Sequence, residues 1–210
     1  MAIGAVLVLS SRTPHTPTGD PIIISDSDYH ASKDEALRLA LEGVTNFNMG
    51  VDITDKEKAD MAKAARIFDN MDRYKPEESA GFFEAGLLYY LIGDSDTALL
   101  RVQQSLNNAA LTPKMRTPRD QANMEGIIGD CYQILSKIAF ERQNYSLALG
   151  EADEALKHVS VRAAYYYDRA NALVALKRIP EAKADLQKAM SLLPPYPPAD
   201  RLLRFLNNKD

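Results

Sequence analysis

From residue 32 to the C-terminus, apolar residues recur three and four positions apart, glycines and prolines fall between the periodic stretches, and nowhere do apolar and polar residues alternate as along a half-buried strand. This pattern predicts an all-α chain. Ahead of it, Asp26, Ser27, Asp28 and Ser32 read as a loop and helix cap, and residues 22–24 as a short extended piece.

The apolar pattern also repeats. A step of 34 residues carries Ala182 to Ala148, Ala189 to Ala155, Ala170 to Ser136 and Tyr166 to Tyr132. A fixed period in this range marks stacked supersecondary units. Two such units span residues 129–160 and 163–194, and a third, 79–110, holds Phe82, Gly86, Tyr89, Ala98, Val102 and Ser105 in matching places. Between Ala98 and Ala148 the spacing is 50, and residues 110–121, with Pro113 and Pro118, are predicted to be an inserted loop. A degenerate unit, 32–76, comes first: Ala64, Phe68, Met71 and Pro76 lie 34 positions before Ala98, Val102, Ser105 and Ala110. Its second helix opens on Thr54-Asp55-Lys56-Glu57, a capping-box spelling, and its first is expected near residues 33–47. Small residues at Gly86, Ala98, Ser136, Ala148, Ala170 and Ala182 allow helix axes to approach to about 8–10 Å. After the proline cluster at 194–198, residues 198–208 form an amphipathic capping helix carrying Leu202, Leu203, Phe205 and Leu206.

Composition narrows function mainly by exclusion. Twenty-five Lys and Arg against 29 Asp and Glu give a net charge of -4, which provides no field to gather nucleic acid. Cys131 is the only cysteine, so no internal disulfide forms, and no Cys/His cluster spells a zinc site. Residues 2–9 are an apolar run too short to cross a bilayer and have no Lys or Arg ahead of them. Two readings fit residues 1–31. One is the remnant of a membrane anchor followed by a Pro/Thr/Ser-rich spacer, which would place the helical domain, 32–210, outside the cytoplasm. The other is a terminus without fixed structure on a cytoplasmic protein.

Catalytic candidates are few. His15 lies in the N-terminal segment, His30 near a helix start and His158 near a helix C-terminus, where an imidazolium favours the dipole. Asp26, Asp28 and His30 alternate like metal ligands but suit helix capping better. Cys131 falls between apolar residues and has no evident base to activate it. No phosphate-cradling glycine loop occurs. No catalytic, metal or cofactor role is expected, and the chain is read as a non-enzyme.

The repeat resembles the tetratricopeptide repeat (TPR) family, whose 34-residue helix-turn-helix units carry an aromatic and a small residue in the first helix and small residues in the second. Tyr166, Ala170, Leu173, Ala182, Leu186, Ala189 and Pro194 match this pattern, as do Tyr132, Leu135, Ser136, Ala139, Ala148, Ala152 and Ala155. Arg169 and Ser160 depart from it, standing where the family usually has an aliphatic residue and a proline. The resemblance implies a right-handed α-solenoid of about four antiparallel hairpins with first helices on a concave face, and a protein-binding scaffold or adaptor. By phase, the groove residues are Phe83, Glu84, Leu87 and Tyr90; Asp130, Gln133, Ile134, Lys137 and Phe140; and Tyr167, Asp168 and Asn171. The aromatics in this set either grip a partner segment or pack between repeats. Some family members clamp a C-terminal carboxylate with Lys, Asn and Arg. The corresponding places here hold Phe83, Leu87, Ile134, Ala164 and Asp168, so a basic or apolar ligand is expected instead. The alternative function is a self-assembling, homo-oligomeric structural component of a larger, envelope-associated complex.

Overall fold

A computed structural model of the chain describes residues 23, 25–49, 51–75, 79–111 and 117–208. Among these there are nine helices and no strand: α1 (Asp26–Met49), α2 (Asp55–Tyr74), α3 (Ser79–Leu91), α4 (Ser95–Leu111), α5 (Pro118–Glu141), α6 (Tyr145–His158), α7 (Ala163–Ala175), α8 (Ile179–Leu192) and α9 (Pro197–Asn207). The first eight pair as hairpins, α1 with α2 through α7 with α8, and each hairpin packs on the next. The odd-numbered helices also touch one another in series, α1 to α3 to α5 to α7, and so make a continuous inner wall. This is an α-solenoid, with α9 packed against α8 at its end.

The 34-residue period has a physical counterpart at each helix crossing. Gly86 faces Ala98, and a Cβ added to it would stand 2.8 Å from Val102 Cγ2 and 3.4 Å from the Ala98 carbonyl oxygen. In the next hairpin Ser136 is 1% exposed and donates its hydroxyl to the Ala148 carbonyl at 2.8 Å. In the last, Ala170 and Ala182 are both fully buried. Each of the three hairpins thus buries a glycine, alanine or serine on its first helix and an alanine on its second at the positions the period marks.

The turns repeat as well. Gly93, Gln143 and Lys177 all have positive φ, at 91°, 60° and 61°, and follow the same 50- and 34-residue spacing as the crossings. Each is followed by an amide that reaches back five residues: Asp94 to Tyr89, Asn144 to Ala139 and Arg178 to Leu173, at 2.8–2.9 Å. This is a Schellman closure, which satisfies the last carbonyls of the first helix. Only Gly93 announces it in the sequence, since Gln143 and Lys177 take the left-handed conformation without a glycine's freedom.

The structure alters three boundaries. Helix α1 begins at Asp26, earlier than the expected start near Ser32. Ser25 caps it, accepting the Asp28 amide at 3.1 Å and donating to the Asp28 carboxylate at 2.7 Å, so Asp26 and Asp28 lie in the first turn and not in a loop. Of residues 22–24 only Ile23 is described, and it is buried in the first hairpin's core. The second change is at the insertion. Pro118 is the first residue of α5, where its missing N–H costs nothing, and the Thr117–Asp120 capping box starts a 24-residue helix. Most of the inserted material thus lengthens α5; Pro113 lies outside the described residues. Thirdly, α1 and α2 have 24 and 20 residues, longer than the expected first helix at 33–47, and this explains the displaced register of the first hairpin. The Thr54–Glu57 capping box forms as expected, with the Thr54 amide 2.7 Å from Glu57 Oε2. In α9, Leu206 is buried and Leu202 and Leu203 are partly so, but Phe205 faces outward at 51% exposure.

Candidate functional site

The inner wall brings side chains from three successive hairpins to one place. Tyr90 from α3, Ser136, Lys137, Phe140 and Glu141 from α5, and Tyr167, Asp168 and Asn171 from α7 line a pocket of about 190 Å³. Six of these eight are residues that the sequence places in the groove. Their polar ends are tied together. Asp168, buried at its base, accepts from Gln133 Nε2 at 2.6 Å and from Lys137 Nζ at 3.1 Å. Tyr90 donates to Glu141 Oε1 at 2.8 Å, and Ser95 donates to the other oxygen at 3.4 Å. Burial and the Glu141 carboxylate push the Tyr90 hydroxyl well above the ordinary tyrosine range, and Asp168 adds to the shift. Phe140 stands at the rim, its ring 5.2 Å from that of Tyr145. Beyond the pocket's lining, Tyr196, from the segment before α9, meets Tyr167 edge-on at 5.8 Å; burial raises its hydroxyl to about 12.

A second polar group lies toward the N-terminal end of α5. Asp130 accepts from Tyr165 Oη at 2.5 Å and pairs with Arg162 at 3.1 Å. Burial nevertheless raises its carboxyl above the usual range. Glu84 on α3 is raised for the same reason; Lys33 offsets the shift and Asp130 adds to it. Gly129 lets Tyr165 reach this position, because a Cβ there would stand 2.9 Å from the tyrosine oxygen.

Three sequence-assigned groove residues belong to the interior or its edge. Ile134 is 3% exposed in the core formed with Ala98, Val102, Cys131, Leu135 and Ile138, and Phe83 and Leu87 are half-buried against that core. The reason is that an apolar side chain at the boundary between groove and core gains more by turning inward. Tyr165, Arg162 and Tyr196 went unassigned in the sequence. Tyr165 has the phase of a core residue, and Tyr196 reaches Tyr167 from outside the helices.

The remaining chemical candidates have structural partners. Cys131 is fully buried, and burial pushes its thiol up to about 12. His158 ends α6 with Nδ1 2.6 Å from Glu125 and its ring stacked on Tyr132 at 5.6 Å. Asp26 pairs with Lys75 at 3.1 Å, and His30 meets Tyr29 edge-on at 5.8 Å. Among the described residues no three potential metal ligands gather, and no helix is long and apolar enough to cross a membrane. His15 and the apolar run at 2–9 lie outside those residues.

No established family profile and no curated protein matches this sequence. Solved structures do. The C-terminal TPR-containing domain of a Plasmodium falciparum FK506-binding protein has a TM-score of 0.57 at 20% identity, over 66% of this chain and 91% of that one. MamA from Desulfovibrio magneticus RS-1 has a TM-score of 0.54 at 16% identity, covering 84% of this chain and 85% of its own. The first TPR of Spaghetti (RPAP3), bound to the HSP90 peptide SRMEEVD, has 0.52 at 17%, over 63% of this chain and 93% of that one. With its repeating crossings, repeating turns and these likenesses, the chain has the fold of tetratricopeptide-repeat domains.

Proposed function

We propose that the chain is a non-enzymatic adaptor that holds a segment of another protein against the inner wall formed by α3, α5 and α7. The observation that carries this reading is the shared pocket, in which Tyr90, Phe140 and Tyr167 converge from three hairpins with carboxylates beside them. Aromatic rings partly exposed in a concavity supply large contact area at low entropic cost. A peptide is bound to the similar fold of the first TPR of Spaghetti, which supports the same use here. Ligand chemistry differs from a carboxylate clamp, since Phe83 and Leu87 are half-buried and Ile134 is core.

The test is affinity capture from the native source with the parent and with a variant carrying Tyr90, Phe140 and Tyr167 all changed to Ala, after far-UV circular dichroism has shown both to be helical. Loss of the captured protein from the variant is expected; equal recovery overturns the groove assignment. Self-assembly is favoured by a different surface. Leu37, Leu41, Phe47, Met49 and Val51, on and just after α1, are 43–66% exposed. A mass by light scattering that rises with concentration would mark this alternative.

A further inference from the structure

The pocket on the inner wall carries unbalanced charge. Its lining holds two carboxylates, Glu141 and Asp168, and one ammonium, Lys137. Lys137 pairs with Asp168 at 3.1 Å. Glu141 is met instead by two hydroxyls, those of Tyr90 and Ser95. The neighbouring Arg142 points elsewhere, bonding Asp96 at 2.6 Å. Both carboxylates are felt at Tyr90, whose hydroxyl is raised first by burial and further by Glu141 and Asp168.

Three kinds of side chain could enter a space of about 190 Å³. A carboxylate would face Glu141 and Asp168 and be repelled. A purely apolar group would cover Glu141 and exclude water from a charge that no cation among the described residues pairs, at a desolvation cost. A long aliphatic stem ending in a cation meets both demands, because the stem lies on ring faces while the head is drawn by the rings' quadrupoles and by the carboxylate.

We infer that the pocket receives a lysine or arginine side chain of the bound segment, its stem against Phe140 and Tyr167 and its cationic head at Glu141. This rests on the groove reading above and specifies the ligand's chemistry.

The test uses the full chain, isotopically labelled, titrated with four nine-residue Gly/Ser/Ala peptides whose central residue is lysine, arginine, norleucine or glutamate. Amide shifts in α3, α5 and α7 report pocket occupancy. Lysine and arginine peptides are expected to bind about tenfold more tightly than the norleucine peptide, the equivalent of about 1.4 kcal/mol, and the glutamate peptide more weakly still. The lysine and arginine arms identify which head fits. Glu141→Gln is expected to abolish most of the preference for a cation over norleucine, and Lys137→Met to increase it. Norleucine binding as well as lysine, glutamate binding more tightly, no pocket shift with any peptide, or an unchanged preference in Glu141→Gln each overturns the inference. The groove reading fails separately, by capture that survives the triple substitution; capture that is lost while norleucine and lysine peptides bind equally removes only the cation.

Discussion

Replacing Ala148 by leucine tests whether the period in the sequence is a period of helix crossings. Ala148 is fully buried, and its carbonyl accepts the Ser136 hydroxyl at 2.8 Å, so α5 and α6 meet there with a backbone against a small side chain. Because the site is fully buried, three added carbons must displace neighbouring atoms. The helices must part, at an overpacking cost of about 1–3 kcal/mol. Parting also breaks a buried hydrogen bond, worth roughly 0.5–1.5 kcal/mol. The expected loss is about 2–4 kcal/mol, which for a chain of this size lowers the midpoint of thermal melting by roughly 4–16 °C. Urea unfolding followed by circular dichroism gives the free energy directly. Leu147→Ala, one residue away at a side chain 48% exposed, should cost less than about 1 kcal/mol. A double-mutant cycle isolates the cause. Ser136→Ala should cost about 0.5–1.5 kcal/mol in the parent and almost nothing beside Ala148→Leu, where the bond is already lost. Melting of Ala148→Leu with the parent, or an equal cost of Ser136→Ala in both backgrounds, would refute the crossing argument.

Two further outcomes are expected. Burial holds the Glu84 carboxyl above its ordinary range, so the folded chain takes up a proton there more readily than the unfolded chain, and folding is penalised as pH rises through that raised value. Glu84→Gln should therefore raise the melting temperature at pH 7, with the gain vanishing once pH falls below the unfolded glutamate value near about 4.3; a gain independent of pH would show that charge is not the cause. Arg169 grips Asp185 with two bonds of 2.7 Å and Asp153 with one of 2.9 Å, and Asp185 is 5% exposed. Arg169→Met keeps the stem but strands that carboxylate, and should cost roughly 1.5–3 kcal/mol in urea unfolding. Lysine should restore only part of this, because it lacks the planar fork.

What could be read from the sequence depended on whether a position admits more than one residue type for physical reasons. The crossings could be read because only small side chains fit them: Ala98, Ala148 and Ala182 are all 0% exposed. The turn of the first of these hairpins was equally plain from Gly93, whereas Gln143 and Lys177 do the same work with side chains that give no sign of it. Prolines misled at the insertion. Pro118 is compatible with a loop and with the first turn of a helix, and only the Thr117–Asp120 capping box decides for the helix. In the groove, helical phase placed Tyr90, Lys137, Phe140, Tyr167, Asp168 and Asn171 at one pocket. It could not separate Ile134 from them, because four residues on from Asp130 lies on the boundary where groove gives way to core. Tyr196 had no phase at all, since it arrives from outside any helix.

Consecutive residues of α7 show why groove chemistry can change while the solenoid persists. Each step along a helix turns the side chain by about 100°. Asp168 faces the inner wall and meets Lys137 and Gln133. Arg169 turns to Asp185 and Asp153 on the even-numbered helices, and Ala170 sits buried at the crossing with α8. Pocket lining, hairpin clamping and close approach thus fall on separate faces of the same helix turn. Only the last two are needed for the fold, which fits its recurrence in structures 16–20% identical to this chain. If the proposed groove is used, substitutions at the exposed Phe140 and Glu141 are expected to alter what it holds without touching a crossing, and a change in binding by such variants would report on the pocket itself.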